Sequence, residues 1–233
     1  MKRHILRISN ISKQYCKGVR LWCFKTPITN TVFENLSIDV QEGTILGVSG
    51  SNGSGKTTLL KLLACLYFPT RGRILIDGYD SIVARKILQK EIGINLNDER
   101  SLFWRLTGLE NIHFISSING VKHNNRYYEN IKNLSELLGL SKELSIPVKN
   151  YSRGMKEKLG YIISLVHPRK ILIYDDFGKN LDQSSMTELS DLLKQRIRDG
   201  ECKLIVISSP RIDLIKPLST KCVICENKKL KAL

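Results

Sequence analysis

Apolar residues recur along this chain in two periods, and the changes of period mark its elements. Near the start, Ile5 and Arg7 fall among polar neighbours in an alternating pattern, which predicts a short strand over 4–9. Further strands are predicted over 32–40 and 44–49. A glycine-rich turn follows and the period lengthens. Leu59, Leu62, Leu63 and Leu66 stand at i, i+3, i+4 and i+7, one apolar face of a helix that begins near 56. Pro69 and Gly72 end it, RILID (73–77) predicts a strand, and GYD a turn.

From about 97 the pattern is helical. Thr107 followed by Glu110 has the form of a capping box opening a helix. A second helix is expected near 124–139, stopped by Gly139, and a third from about 153 with Met155, Leu159, Ile162 and Val166 on one side. The strand pattern then returns in ILIY (171–174), KLIVIS (203–208) and KCVIC (221–225), with a helix running to Asp199-Gly200. Short apolar strands alternating with helices predict an α/β domain with a mostly parallel sheet. The stretch from roughly 97 to 165 reads as a helical insertion into one domain spanning 1–233.

Composition adds limits. Of the 233 residues, 42% are hydrophobic and 25% charged, a globular balance that argues against disorder. No apolar run approaches the roughly 18 residues that cross a bilayer, and the start reads as a strand, not a signal peptide. A cytoplasmic protein is expected. The net charge of +15 favours anionic partners without choosing among them. The basic residues are spread along the chain, with no arginine-rich tail, so no specific nucleic acid is expected. Of six cysteines only Cys222 and Cys225 have C-x-x-C spacing, too few for a zinc site. Reduced structural thiols are expected.

The chemistry concentrates in GVSGSNGSGKTTLLKLL (47–63). Gly50, Gly55, Lys56 and Thr57 fit G-x-x-x-x-G-K-[ST], with an apolar strand before and a helix after. Glycines let the backbone fold tightly, so that successive N–H groups across Gly50, Ser51, Asn52, Gly53, Ser54, Gly55 and the first helical residues to Thr58 face phosphate oxygens. The helix N-terminus adds positive partial charge. Lys56 is expected to reach the β- and γ-phosphates, and Thr57 to ligate Mg²⁺.

A phosphate loop is shared by many NTPases, and four further stretches narrow the choice. SKQY ends in Tyr15, YSRGMKEKL spans 151–159, ILIYDD spans 171–176 and NLD spans 180–182. In this order they resemble the A-loop, signature, Walker B and D-loop of an ATP-binding cassette (ABC) ATPase, the nucleotide-binding component of a transporter. DERSLFWRLTGLENI (98–112) is similar to the segment that follows the Q-loop in exporter cassettes. The resemblance implies a P-loop NTPase fold of the ABC type, RecA-like, with an antiparallel β part at the N-terminus and an inserted helical subdomain. It implies ATP and Mg²⁺ as ligands. Tyr15 would stack on adenine, Asp175 would serve Mg²⁺, Asn97 would stand near the Q-loop glutamine's place, and Ser152 and Gly154 would contact the γ-phosphate of ATP held by a second cassette. A separate transmembrane subunit would be the other partner, placing the chain on the inner face of the cell membrane. Leu102, Phe103 and Trp104 are candidates for the docking surface.

Four positions depart from the family, and the first three concern hydrolysis more than binding. Asp176 stands where glutamate usually acts as catalytic base, one methylene shorter. Asn97 replaces a longer amide. Pro210 stands at the position of the switch histidine and has neither a side-chain donor nor a backbone N–H. Phe177 replaces the usual proline after the catalytic acid. These departures lead us to expect firm MgATP binding with weak hydrolysis; the alternative is a working, divergent site assisted by Ser208, Ser209 or Asp98. A non-hydrolysing regulatory cassette in a heterodimer, and a soluble ABC ATPase acting on nucleic acid or ribosomes, are the competing functions.

Overall fold

The computed structural model describes residues 3–17, 28–96 and 101–232. Strands β1 (His4–Lys17), β2 (Ile28–Gln41), β4 (Arg71–Ile76) and β5 (Tyr79–Asp80) form an antiparallel sheet in the order β2-β1-β4-β5. A second sheet holds β3 (Thr44–Ser49), β6 (Ile92–Asn95), β7 (Ile171–Tyr174), β8 (Leu204–Ser209), β9 (Lys221–Glu226) and β10 (Lys229–Ala232). Its order is β10-β9-β3-β8-β7-β6, parallel except where β10 closes the edge against β9.

Strands β3, β7 and β8 read as continuous apolar runs because both faces are covered. Ile171 and Ile173 point into one core, with Leu204 and Val206 of β8 beside them. That core also holds the antiparallel sheet and helix α1 (Lys56–Leu63), through Ile5, Leu6, Phe33, Leu59 and Leu62. Leu172 and Tyr174, with Ile205 and Ile207, point into a second core. There they meet Leu189 and Leu193 of helix α6 (Gln183–Arg198) and the helical region.

The helical region lies between β6 and β7. It holds α3 (Gly108–Ile118), α4 (Asn125–Leu137) and α5 (Arg153–Leu165). The capping box forms as its sequence predicts: Thr107 Oγ1 accepts from Glu110 N at 3.2 Å, and the Glu110 carboxylate accepts from Thr107 N at 2.7 Å. Tyr151 anchors the loop before α5 by donating its hydroxyl to Glu143 O at 2.5 Å.

Several elements differ from their sequence expectation. β1 and β2 continue well beyond 4–9 and 32–40 as a long hairpin pair with shifts of register. Helix α1 stops at Leu63, so Leu66 lies beyond it, partly buried against the first core. Tyr79–Asp80, expected as part of a turn, pairs briefly with β4. Strand β6, helix α2 (Arg85–Glu91) and β10 had no periodic signal. IGIN is only four residues long and contains Gly93, whose missing side chain is required: a Cβ there would lie 2.8 Å from both Leu172 Cδ2 and Ser164 O. In α2 only Leu88 is buried, too little for an apolar face.

His167, in the turn between α5 and β7, gives the fold a pH dependence. Neither ring nitrogen meets a hydrogen-bond partner among the described residues. Burial, with the nearby Arg169 and Arg196 charges, pushes the imidazole down from its ordinary value to about 4. A folded value below the unfolded one means that acid protonates the unfolded chain first. Stability is therefore complete above about 6.5 and falls as pH drops from there toward 4. Denaturation midpoints at pH 7 and pH 5 should separate clearly for the wild type and draw together in His167→Leu. Equal separation in both would contradict this assignment.

Candidate functional site

Parallel strands β3, β7 and β8 are neighbours, and their C-terminal ends lie side by side. Register places Ser49 opposite Ser209, and Tyr174 opposite Ile207. Whatever follows these strands is gathered at one edge, the usual ligand position in an open α/β sheet. The phosphate-loop sequence, the paired acids and Pro210 all follow them.

After β3 the chain turns through Gly50 at φ +147°, Gly53 at +81° and Gly55 at +103°, values that side chains rarely adopt. A Cβ on Gly50 would lie 2.5 Å from Cys225 O, and one on Gly55 2.7 Å from Val32 Cγ1. The loop curls around Lys56, which opens α1 and is 6% exposed. Lys56 Nζ donates to Gly50 O at 2.7 Å and to Ser51 O at 2.9 Å. Ser54 Oγ is buried with no hydrogen-bond partner among the described residues. Ser51, Asn52 and Gly53 form the exposed rim, and Thr58 is half-buried in α1.

The two acids are held differently. Asp175, 6% exposed, accepts from Thr57 Oγ1 through Oδ2 at 2.5 Å and from Ser208 Oγ through Oδ1 at 2.5 Å. A hydroxyl and a carboxylate side by side form a hard, oxygen-only donor set, which suits Mg²⁺. Asp176 has left-handed φ, +46°. Its N–H donates to Ser208 Oγ at 3.1 Å, and its Oδ2 lies 3.0 Å from Lys179 Nζ. Phe177 is fully buried, its ring against Tyr161 and Tyr174. Its N–H donates to Ser208 O at 2.8 Å, a bond that proline at this position would forfeit. Pro210 is exposed at the end of β8.

Tyr15 lies at the far end of the β1–β2 pair, with Asn30 as its strand partner. Tyr15 packs edge-on against Tyr67 at 6.1 Å, with Lys13 Nζ over its ring at 5.0 Å. Asn97 and Asp98 lie outside the described residues.

Ser152 and Gly154 open helix α5. Ser152 Oγ accepts from Met155 N at 3.2 Å, an N-cap. Among the described residues, no hydrogen bond or ion pair joins Ser152 or Gly154 to the phosphate loop. Instead, α5 is tied to the segment after the acids. Glu157, 4% exposed, accepts from Asn180 N at 3.0 Å and Asn180 Nδ2 at 2.9 Å. Its other oxygen accepts from Tyr161 OH at 3.1 Å, and that hydroxyl accepts from Gly178 N at 3.1 Å. Lys158 pairs with Asp182 at 2.8 Å and, with the Ser185 N–H, holds that carboxyl well below its ordinary range. No motif in the sequence points to this clamp. Its only local signal is the i, i+4 spacing of Glu157 and Tyr161. A Cβ on Gly154 would lie 2.7 Å from Asn180 O, a backbone atom held by the clamp. Gly154→Ala should therefore cost about 1–3 kcal/mol through overpacking, read as a lower denaturation midpoint. An unchanged midpoint would mean that the segment shifts freely.

Comparison with known proteins decides the family. The family described as "ABC transporter" matches residues 33–177, more than half the chain. The chain belongs to the ABC transporter family, as an ATP-binding subunit. It is 28% identical to the ABC transporter ATP-binding protein NatA of Bacillus subtilis, over 79% of this chain and 74% of NatA. It is 29% identical to the lantibiotic transport ATP-binding protein SrtF of Streptococcus pyogenes, over 92% of this chain and 84% of SrtF. The first three Bacillus subtilis relatives are spanned over 57% to 74% of their length. A solved dimeric ATP-binding cassette, in a post-hydrolysis state with ADP and Pi, superposes with a TM-score of 0.80 at 20% identity over 98% of each chain. At that identity it shows the P-loop cassette fold, including the antiparallel N-terminal sheet and the helical insertion. No helix among the described residues is long and apolar enough to cross a membrane.

Proposed function

We propose that this ABC ATP-binding subunit energises an exporter, binds MgATP between two cassettes, and hydrolyses it weakly. The observation that carries the reading is the contact of Thr57 with Asp175 beside a glycine loop wrapped around Lys56. Residues 50–58 would hold the phosphates, Thr57 and Asp175 the Mg²⁺, and Tyr15 the adenine. Asp176, one methylene shorter than glutamate, would act as base from too far back. Ser152 and Gly154, remote in hydrogen bonding from their own loop, suit the nucleotide of a second cassette. The lantibiotic transport role named for SrtF supports export.

The membrane subunit would dock on the cleft between the α/β core and the helical region, a cavity of about 570 Å³ lined by Ile94, Leu96, Leu102, Ile115 and Ile163. Of the docking candidates, Leu102 is buried at 9% exposure and belongs to the second core. Phe103 and Trp104 are about half exposed, beside the exposed Phe114. Docking there would place the chain on the cytoplasmic face of the membrane. A non-hydrolysing regulatory partner in a heterodimer is the second reading, favoured by Pro210 and by the engaged Asp176. Nucleotide binding and phosphate release, measured in the same samples with Lys56→Ala as control, test the proposal.

A further inference from the structure

Lys179 brings a charge to the site that the function above does not use. The chain after Asp176 turns back on itself, with Asp176 at φ +46° and Gly178 at φ +69°. Lys179 N donates to Asp176 O at 3.2 Å. The turn is fixed from both sides. Asp176 N is held by Ser208 Oγ at 3.1 Å, and Gly178 N by the fully buried Tyr161 hydroxyl at 3.1 Å. The φ of +69° at Gly178 is one that side chains rarely adopt, which favours glycine there. The turn delivers Lys179 Nζ to 3.0 Å from Asp176 Oδ2. Asp176 N lies 3.2 Å from Asp175 Oδ1, and Asp175 Oδ2 meets Thr57. Lys179 thus pairs with the acid next in sequence to the one that meets Thr57 of the phosphate loop.

We propose that Lys179 binds the γ-phosphate: its ammonium leaves Asp176 for the terminal phosphate of bound ATP, so that the site distinguishes ATP from ADP. This rests on the reading that residues 50–58 hold MgATP. The histidine that would contact that phosphate is replaced by Pro210, which offers no donor. Lys56 lies deeper, engaged by the carbonyls of its own loop. The Lys179–Asp176 pair is open to solvent, its side chains 62% and 30% exposed, and such pairs contribute little. A terminal phosphate offers more negative charge and several oxygens, a stronger partner for an ammonium. The four-carbon stem lets the charge move while the turn beneath it stays fixed.

The test is calorimetric titration of the full chain with the Mg²⁺ complexes of ADP and of the imido analogue of ATP, which keeps a γ-phosphate and resists hydrolysis. Lys179→Met should weaken the analogue about tenfold, the scale of one hydrogen bond between charged groups, and change ADP less than twofold. Lys179→Arg should largely restore the analogue. Arg211→Met, which removes the exposed cation after Pro210, should leave the ratio unchanged. Equal effects on both nucleotides, no effect, or a ratio that falls with Arg211→Met instead would overturn the assignment while leaving the nucleotide site intact. If the wild type shows no Lys56-dependent binding of either nucleotide, the site reading fails and takes this assignment with it.

Discussion

Lys56→Ala should abolish measurable MgATP binding, weakening it by at least about 100-fold, the scale expected when a preformed loop is deprived of a charge-assisted hydrogen bond to phosphate. Lys56 is the centre around which the loop closes. It is nearly buried, and its ammonium satisfies the carbonyls of Gly50 and Ser51. Alanine removes the cation that faces the phosphates and takes a donor from the carbonyls of Gly50 and Ser51, of which Ser51 O keeps the Ser54 N–H. The loop would lose its shape as well as its charge. The fold should survive, because Leu59, Leu60, Leu62 and Leu63 still bury α1 in the first core. Circular dichroism should therefore show a cooperative transition in a variant that no longer binds. Retained ATP affinity would mean that the backbone N–H groups suffice alone.

Asp176→Glu should raise phosphate release by about 10- to 100-fold, since misplacement on the order of 1 Å costs about 100-fold. A base must come within hydrogen-bond reach of the water it activates, and the extra methylene supplies roughly one C–C bond, about 1.5 Å. Two features of the structure oppose the gain. Asp176 is in a left-handed conformation, which aspartate tolerates better than glutamate, so the variant should lose about 1 kcal/mol of stability. Lys179, paired with Asp176 in this structure, would also have to leave the longer carboxylate for the phosphate. Adding Pro210→His should raise the rate further by restoring a donor to the γ-phosphate. A rate unchanged or lowered by Asp176→Glu would show that the short acid is already well placed.

Much of this site was legible because its chemistry constrains adjacent residues. The loop over 50–57 needs glycine at positions of positive φ and a lysine at the start of a helix, and both appear in order. The apolar strand ending in Asp175 was legible for the same reason, since both faces of β7 are buried. What stayed hidden depends on contacts between distant segments. Glu157 reads as one more charge on a helix, yet it is buried and holds Asn180 and Tyr161. Ser208 reads in sequence only as one of three candidate helpers in hydrolysis, and its link from Asp175 to the backbone of Asp176 is not legible there. Lys179 is three residues from Asp176, but only the positive φ at Asp176 and Gly178 brings the two charges together. In the fold, β6 stayed hidden because a four-residue strand carrying glycine has too few side chains to show a period.

Firm binding with weak hydrolysis is best tested by measuring nucleotide affinity and steady-state phosphate release in the same preparation of the wild-type chain, alone and with its membrane partner. Lys56-dependent binding of MgATP is expected, with turnover well below about 1 s⁻¹, the lower end of the ordinary enzyme range. Turnover above that value, abolished by Lys56→Ala, would overturn this reading: Asp176 would then be a competent base despite its reach and its lysine.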